Sequence, residues 1–236
     1  MKKTISVITL IPRSSRFYAE QVQALFRQWA QVHSYSTGDR SVEGIVESDL
    51  YLLSTDAFED AQEARRYVPS DGQVVEIQLT YPKQVIQDLK RIPRGTRVLF
   101  VNATRQMARE AITQLEQLGV NQIGFEPYGP DSPVPEGLDI AVTPDEAGFV
   151  PPGMKKVINI GHRPCTPGTM IEAAIRLGLE GLLEEKQFQN YMKTMASGNY
   201  SFDEMFARSR KMESRFDILL EILDEGMVGI NEKGEE

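Results

Sequence analysis

The stretch RVLFVNATRQMAREAITQLEQLG, residues 97–119, decides how this chain is read. Arg97-Val98-Leu99-Phe100-Val101 is a strand, and Asn102-Ala103-Thr104 is a helix cap whose side-chain oxygen can take an unsatisfied backbone N–H. The helix then runs to Leu118 and stops at Gly119, a residue suited to the left-handed turn beyond a helix end. Strand, cap, helix and glycine make one βα unit.

Working outward, the unit recurs on both sides. Residues 5–11 are mostly apolar or β-branched, as in a central strand covered on both faces, and Pro12 ends the run. Arg13-Ser14-Ser15-Arg16 leads into a helix expected from Phe17 to about Val32, with Val22, Leu25, Phe26 and Trp29 on one face. A short strand is expected near 32–35, a second buried strand at 49–53 and a third at 74–79, with a helix between Asp56 and Tyr67. Pro82 opens a further helix through Val85, Ile86 and Leu89. After residue 119 come short strands at 123–125, 138–142 and 157–160, a loop rich in Pro and Gly at 127–137, and a helix at about 169–177.

Strands alternating with helices at this spacing predict α/β folding in two doubly wound parallel-sheet lobes with a cleft between them, an arrangement like that of periplasmic binding proteins. Lobe one is expected at 1–79 with 164–181, and lobe two at 80–163, with hinges near 80–82 and 161–164. No repeat of fixed period is visible. From 182 the chain is expected to form a helical connector. Phe202, Met205, Ser209, Met212, Phe216, Leu219 and Leu223 follow one another at alternating steps of three and four, the period of a coiled-coil seam, so a homodimer through 202–223 is expected.

Composition narrows the function. Hydrophobic residues at 41% and charged residues at 25% are those of an ordinary globular protein. A net charge of −8 argues against a grip on nucleic acid by this chain, since like charges repel a phosphate backbone. The single cysteine excludes an internal disulfide, and the apolar run at the start is too short for a signal core or a membrane span, so the cytoplasm is expected. There is no glycine-rich phosphate loop, and two histidines without clustered carboxylates offer no zinc site; no cofactor is expected.

Ligands of open α/β sheets bind beyond the carboxyl ends of the strands. That rule selects Arg13, Ser14, Ser15, Arg16, Ser54, Thr55, Thr80, Asn102, Thr104, Arg105, Thr143, His162 and Arg163. Hydroxyls and arginine forks beside backbone N–H groups suit a small carboxylate or phosphate. The same Ser, Thr and Asn residues also read as ordinary helix caps. Arg16 and Arg105 are each expected in the first turn of a helix, where the dipole disfavours a cation by about 0.3–1 kcal/mol, which points to an anion nearby or to a side chain turned to solvent. His162 and Cys165 could pair as base and nucleophile before a helix, although two prolines flank the cysteine. His33 reads as a helix C-cap.

The last residues, FDILLEILDEGMVGINEKGEE (216–236), resemble the opening of a PAS domain, where a helix feeds a first strand and an acidic glycine turn; 224–236 is expected to be only its start. Taken in order, the preceding elements resemble the two-lobed amino-terminal sensor of sigma-54-dependent transcriptional activators. That resemblance implies a small-molecule effector bound between the lobes, no direct contact with nucleic acid or membrane, and a further part carrying an ATPase and a helix-turn-helix. Two alternatives stand beside it. One is a racemase- or isomerase-type enzyme using Cys165, although the two-lobed racemases that this architecture resembles use one cysteine from each lobe. The other is a dimerisation or docking module with no small ligand.

Overall fold

β1 (Lys3–Thr9) is the strand on which the first sheet is built, in a computed structural model that describes residues 2–196. Its Ile5, Val7 and Ile8 are fully buried, so both faces of the strand are covered. β2 (Ala30–Ser36) and β3 (Leu50–Leu53) flank it in parallel, and β4 (Val74–Glu76) pairs with β3, giving the order β2-β1-β3-β4. The second sheet repeats the layout. β5 (Arg97–Val101) lies between β6 (Gly124–Tyr128) and β7 (Ile140–Thr143), with β8 (Lys156–Asn159) outside β7. The chain is therefore an α/β protein with two parallel-sheet lobes.

Helices cover one face of each sheet. In lobe one, α1 (Pro12–Phe26), α5 (Pro167–Arg176) and α6 (Lys186–Thr194) pack on Ile5, Val7, Leu50 and Leu52. In lobe two, α3 (Lys83–Lys90) and α4 (Arg105–Gln117) pack on Val98, Phe100 and Val142. Opposite faces are sealed by irregular chain: Val42, Ala57 and Val68 over lobe one, Leu138, Val150 and Met154 over lobe two. Each fully buried aliphatic or aromatic side chain contributes about 1.5–3 kcal/mol.

The helix that follows β4 is α3, which packs on the second sheet; the helix that follows β8 is α5, which packs on the first. Each lobe thus completes its core with a helix delivered from the other. Residues 78–82 carry the first crossing, and two other segments bond to it. Thr80 N donates to Pro164 O at 2.8 Å and Thr166 N to Gln78 O at 2.6 Å, tying in the return crossing. Ala196 N donates to Tyr81 O at 2.8 Å, while the Thr80 hydroxyl donates to Ala196 O at 2.7 Å. Ala196 packs in the core of lobe two, so the chain crosses between the lobes a third time after α6.

Several expectations are corrected. The first helix begins at Pro12 and ends at Phe26, because proline suits the first helical position and Arg27 turns into the left-handed region at φ 37°. Arg16 is consequently the fifth residue of α1 and not in its first turn. Trp29 is off the helix, 42% exposed, with its Nε1 donating to Glu185 Oε1 at 2.9 Å. His33 lies in β2, its ring stacked near Tyr35, and caps no helix. The helix before Tyr67 shrinks to α2 (Ala61–Ala64), started by Asp60 accepting from the N–H groups of Gln62 and Glu63. Pro127 is in β6, an edge strand where the missing N–H can face outward. The connector expected to stand apart from 182 does not: Leu182, Leu183 and Phe188 are buried in the core of lobe one. The seam at 202–223 and the PAS-like stretch lie outside the described residues.

Candidate functional site

The carboxyl ends of the central strands of both sheets open into one interlobe cleft of about 770 Å³. Lobe one contributes Ile11 after β1 with Ser14 and Tyr18 of α1, the turn after β3 (Ser54, Thr55, Asp56) and the exit of β4 (Glu76 to Leu79). Lobe two contributes the turn after β5 (Asn102, Ala103), the turn after β7 (Pro144, Glu146) and one long face of α4. His162 and Arg163 line it from the return crossing. Backbone N–H groups freed where the strands end need partners, and side chains supply them after β5, where Thr104 accepts, and after β7, where Thr143 accepts.

Of the residues selected from the sequence, six come together on the cleft: Ser14, Ser54, Thr55, Asn102, His162 and Arg163. Ser54 donates its hydroxyl to Asp56, and Asn102 is buried with its Oδ1 accepting from Ala103 N at 2.8 Å. The other seven do not line the cleft. Ser15 donates to Pro12 O at 2.9 Å. Thr80 bonds Ala196. Thr104 caps α4 by accepting from Met107 N at 3.1 Å, and Thr143 accepts from Glu146 N at 2.9 Å. Arg16 is exposed and its charge helps hold the Asp39 carboxyl below the usual range, after the hydrogen bonds from Ser41.

The remaining arginines answer the question of a nearby anion from within the protein. Arg105 opens α4 and lies 4.0 Å from Glu126. Arg13 reaches across from lobe one to lobe two, pairing with the Asp145 carboxylate and donating to its carbonyl oxygen at 3.5 Å. Asp145 sits in the left-handed region at φ 67° and exchanges two 2.9 Å hydrogen bonds with Asn159. The bond donated by Asn159 Nδ2, then His162 and Arg13, keep its carboxyl below the usual carboxylate range. His162 Nε2 is 2.9 Å from Asp145 Oδ2, and its ring lies 4.6 Å from that of Phe17. Burial against that ring lowers the imidazole pKa, with Asp145 opposing. Arg13, Asp145 and His162 therefore join the two lobes on the flank of the cleft.

Cys165 does not line the cleft. It is fully buried in the core of lobe one, and burial pushes its thiol up, away from the reactive thiolate. Its backbone N–H donates to Gln21 Oε1 at 3.0 Å and its carbonyl accepts from the Tyr191 hydroxyl. His162, the base suggested for it, is occupied by Asp145.

What sequence reasoning missed is the wall made by α4. Gln106, Arg109, Glu110, Thr113, Gln114 and Gln117 fall at helical spacing and face the cleft. A polar stripe of this kind is indistinguishable in sequence from a helix face turned to bulk water. The acidic lining residue Glu76 was missed for a similar reason, since a lone carboxylate on a strand has no motif, whereas Glu146 falls in the strand-end stretch 143–146 that the rule selects. Burial raises the Glu146 carboxyl above its ordinary pKa. At the hinge, Tyr81 donates to Ala111 O at 3.1 Å; burial pushes its hydroxyl up to about 12, and Arg163 beside it pulls the other way.

Among the described residues no helix is long and apolar enough to cross a membrane, and no group of three or more His, Cys, Asp or Glu is placed to hold a metal ion. Comparison of the chain with family models, with curated proteins and with solved structures finds no match.

Proposed function

We propose that this chain is the effector-sensing module of a bacterial sigma-54-dependent transcriptional regulator, acting in the cytoplasm as a homodimer. A small metabolite bearing a carboxylate or phosphate binds between the lobes, and closure of the lobes is the signal. The link to sigma-54 regulation rests on the resemblance of residues 216–236 and of the element order. The sensing reading rests on one structural observation: the cleft is walled by both lobes, and the segment joining them is bonded on one side to the return crossing and on the other to Met195 and Ala196.

The physics of transmission follows from that bonding. Residues 78–82 cannot rotate without carrying Ala196, from which the chain continues toward the expected seam. A ligand touching both Ser54 and Asn102 makes its full set of contacts only when the lobes approach, and that differential affinity drives the shift. Arg163, at the hinge, is the lining cation best placed to report an anionic group.

The test is a thermal-shift series over carboxylates, amino acids and phosphates. A ligand of the folded state raises stability by about 2.7 kcal/mol at a hundredfold excess over Kd. Solution scattering on the same sample should show a smaller radius with ligand. Flat melting curves across all three classes would overturn the sensing reading.

A further inference from the structure

We infer that the ligand of the interlobe cleft carries a cationic nitrogen beside its anionic group, as an amino acid does, and is not a polyanion. This rests on the sensing reading above and narrows it. The cleft lining includes four carboxylates, Asp56 and Glu76 from lobe one and Glu110 and Glu146 from lobe two, against two guanidiniums, Arg109 and Arg163. None of these four carboxylates is in an ion pair among the described residues. Two other arginines near the strand ends do not line the cleft and already face carboxylates of the protein itself: Arg13 pairs with Asp145, and Arg105 lies 4.0 Å from Glu126.

Closure makes the imbalance consequential. The carboxylates stand on opposite walls, so bringing the lobes together brings like charges together while water leaves the space between them. Both changes oppose closure unless a cation enters with the ligand. A citrate-like or phosphate dianion worsens the repulsion. A neutral polyol leaves it untouched. An ammonium between the walls relieves it, while Arg163 or Arg109 takes the carboxylate end and the hydroxyls and amides of Ser54, Thr55 and Asn102 complete the contacts.

The experiment uses the whole chain and matched pairs differing by one amine: glutamate and glutarate, 6-aminohexanoate and hexanoate, 4-aminobutyrate and butyrate, titrated by calorimetry at low salt. In at least one pair the amine-bearing member is expected to bind about tenfold tighter or more, an advantage that shrinks as salt screens it. In the double variant Glu76→Gln with Glu146→Gln the preference should fall to about threefold or less, with the melting temperature of the unliganded protein little changed. Equal or tighter binding of the deaminated partners overturns the inference and leaves the sensing reading standing. So does an unchanged preference in the double variant. No binding by any of the six compounds, together with flat melting curves in the broader series, removes the sensing reading and this inference together.

Discussion

Lobe one meets the cleft with turns, and lobe two meets it chiefly with a helix. Ser54 and Thr55 are short side chains on the turn after β3 and Ser14 stands in the first turn of α1, whereas Gln106, Arg109, Glu110 and Thr113 project from the long surface of α4. The sheets behind them have the same strand order, and even a shared packing detail. Gly38, just after β2, lies so close to the turn beyond β1 that a Cβ would meet Leu10 O at 2.4 Å; Gly129, just after β6, would meet Arg105 N at 2.4 Å. Neither needs a positive φ, so close approach alone excludes a side chain there. Two lobes without a visible sequence repeat thus solve one packing problem in one way, yet differ in the surface they offer a ligand. The lesson is that scaffold and site are specified separately: strand order by buried apolar runs, wall chemistry by residues with no role in the core.

The largest expected effect bears on whether the lobes are separate units at all. Phe26 in lobe one and Phe100 in lobe two are both fully buried, so Phe26→Ala and Phe100→Ala should each cost about 3–5 kcal/mol. Because the lobes exchange helices, denaturant unfolding followed by two probes should stay a single transition in both variants. Two separated transitions would break the comparison in favour of independent lobes.

Next in size, Gly38→Ala and Gly129→Ala should each destabilise the protein by about 1–3 kcal/mol, since the obstructing atoms are backbone and cannot rotate aside. A neutral result at either site, read from the urea midpoint, would mean that its lobe tolerates a shift the other does not.

A smaller effect is expected from pH at the flank joining the lobes. The folded pKa of His162 is lowered, so the unfolded chain binds its proton more readily; the stability this represents is complete above about pH 6.5 and is lost as pH falls toward the folded value. Asp145 is also lowered, but its contribution is lost only below the ordinary carboxylate range. Melting temperature should therefore fall between pH 7 and 5 through His162, and His162→Gln should flatten that slope. An identical slope in the variant would place the titration elsewhere.

The smallest effect belongs to Arg13. Its side chain is 65% exposed, so solvent screens the pair with Asp145, and Arg13→Ala should change stability by about 1 kcal/mol or less. The same variant should enlarge the radius seen by solution scattering if the pair holds the lobes near one another; an unchanged radius would leave the joining to the hinge bonds alone.

Much of the scaffold is legible in residue order. Val98 to Val101 and Ile5 to Ile8 read as buried strands because burial on both faces requires continuous apolar runs, and Thr104 and Gly119 mark the ends of their helix through local geometry that only a few residue types satisfy. Trp29 and His33 fall outside α1 although its apolar spacing continues past Phe26, because Arg27 ends the helix by a backbone turn that composition does not announce. The site divides in the same manner. Ser54 and Asn102 follow from the rule about strand ends, whereas the stripe on α4 becomes a wall only because another lobe stands opposite it.

By itself, then, the amino-acid order determined the alternation of strand and helix, the two-lobed class and the turns at which a ligand could be met, because each of these depends on local propensity and on apolar runs a few residues long. Tertiary structure decided which helix serves which sheet, that Arg13 pairs with Asp145 while Arg105 faces Glu126, and that Ala196 returns to the hinge. These depend on contacts between residues as far apart as Thr80 and Ala196. Such pairings are settled by which surfaces must be buried together, a property of the assembled cores that no short stretch carries.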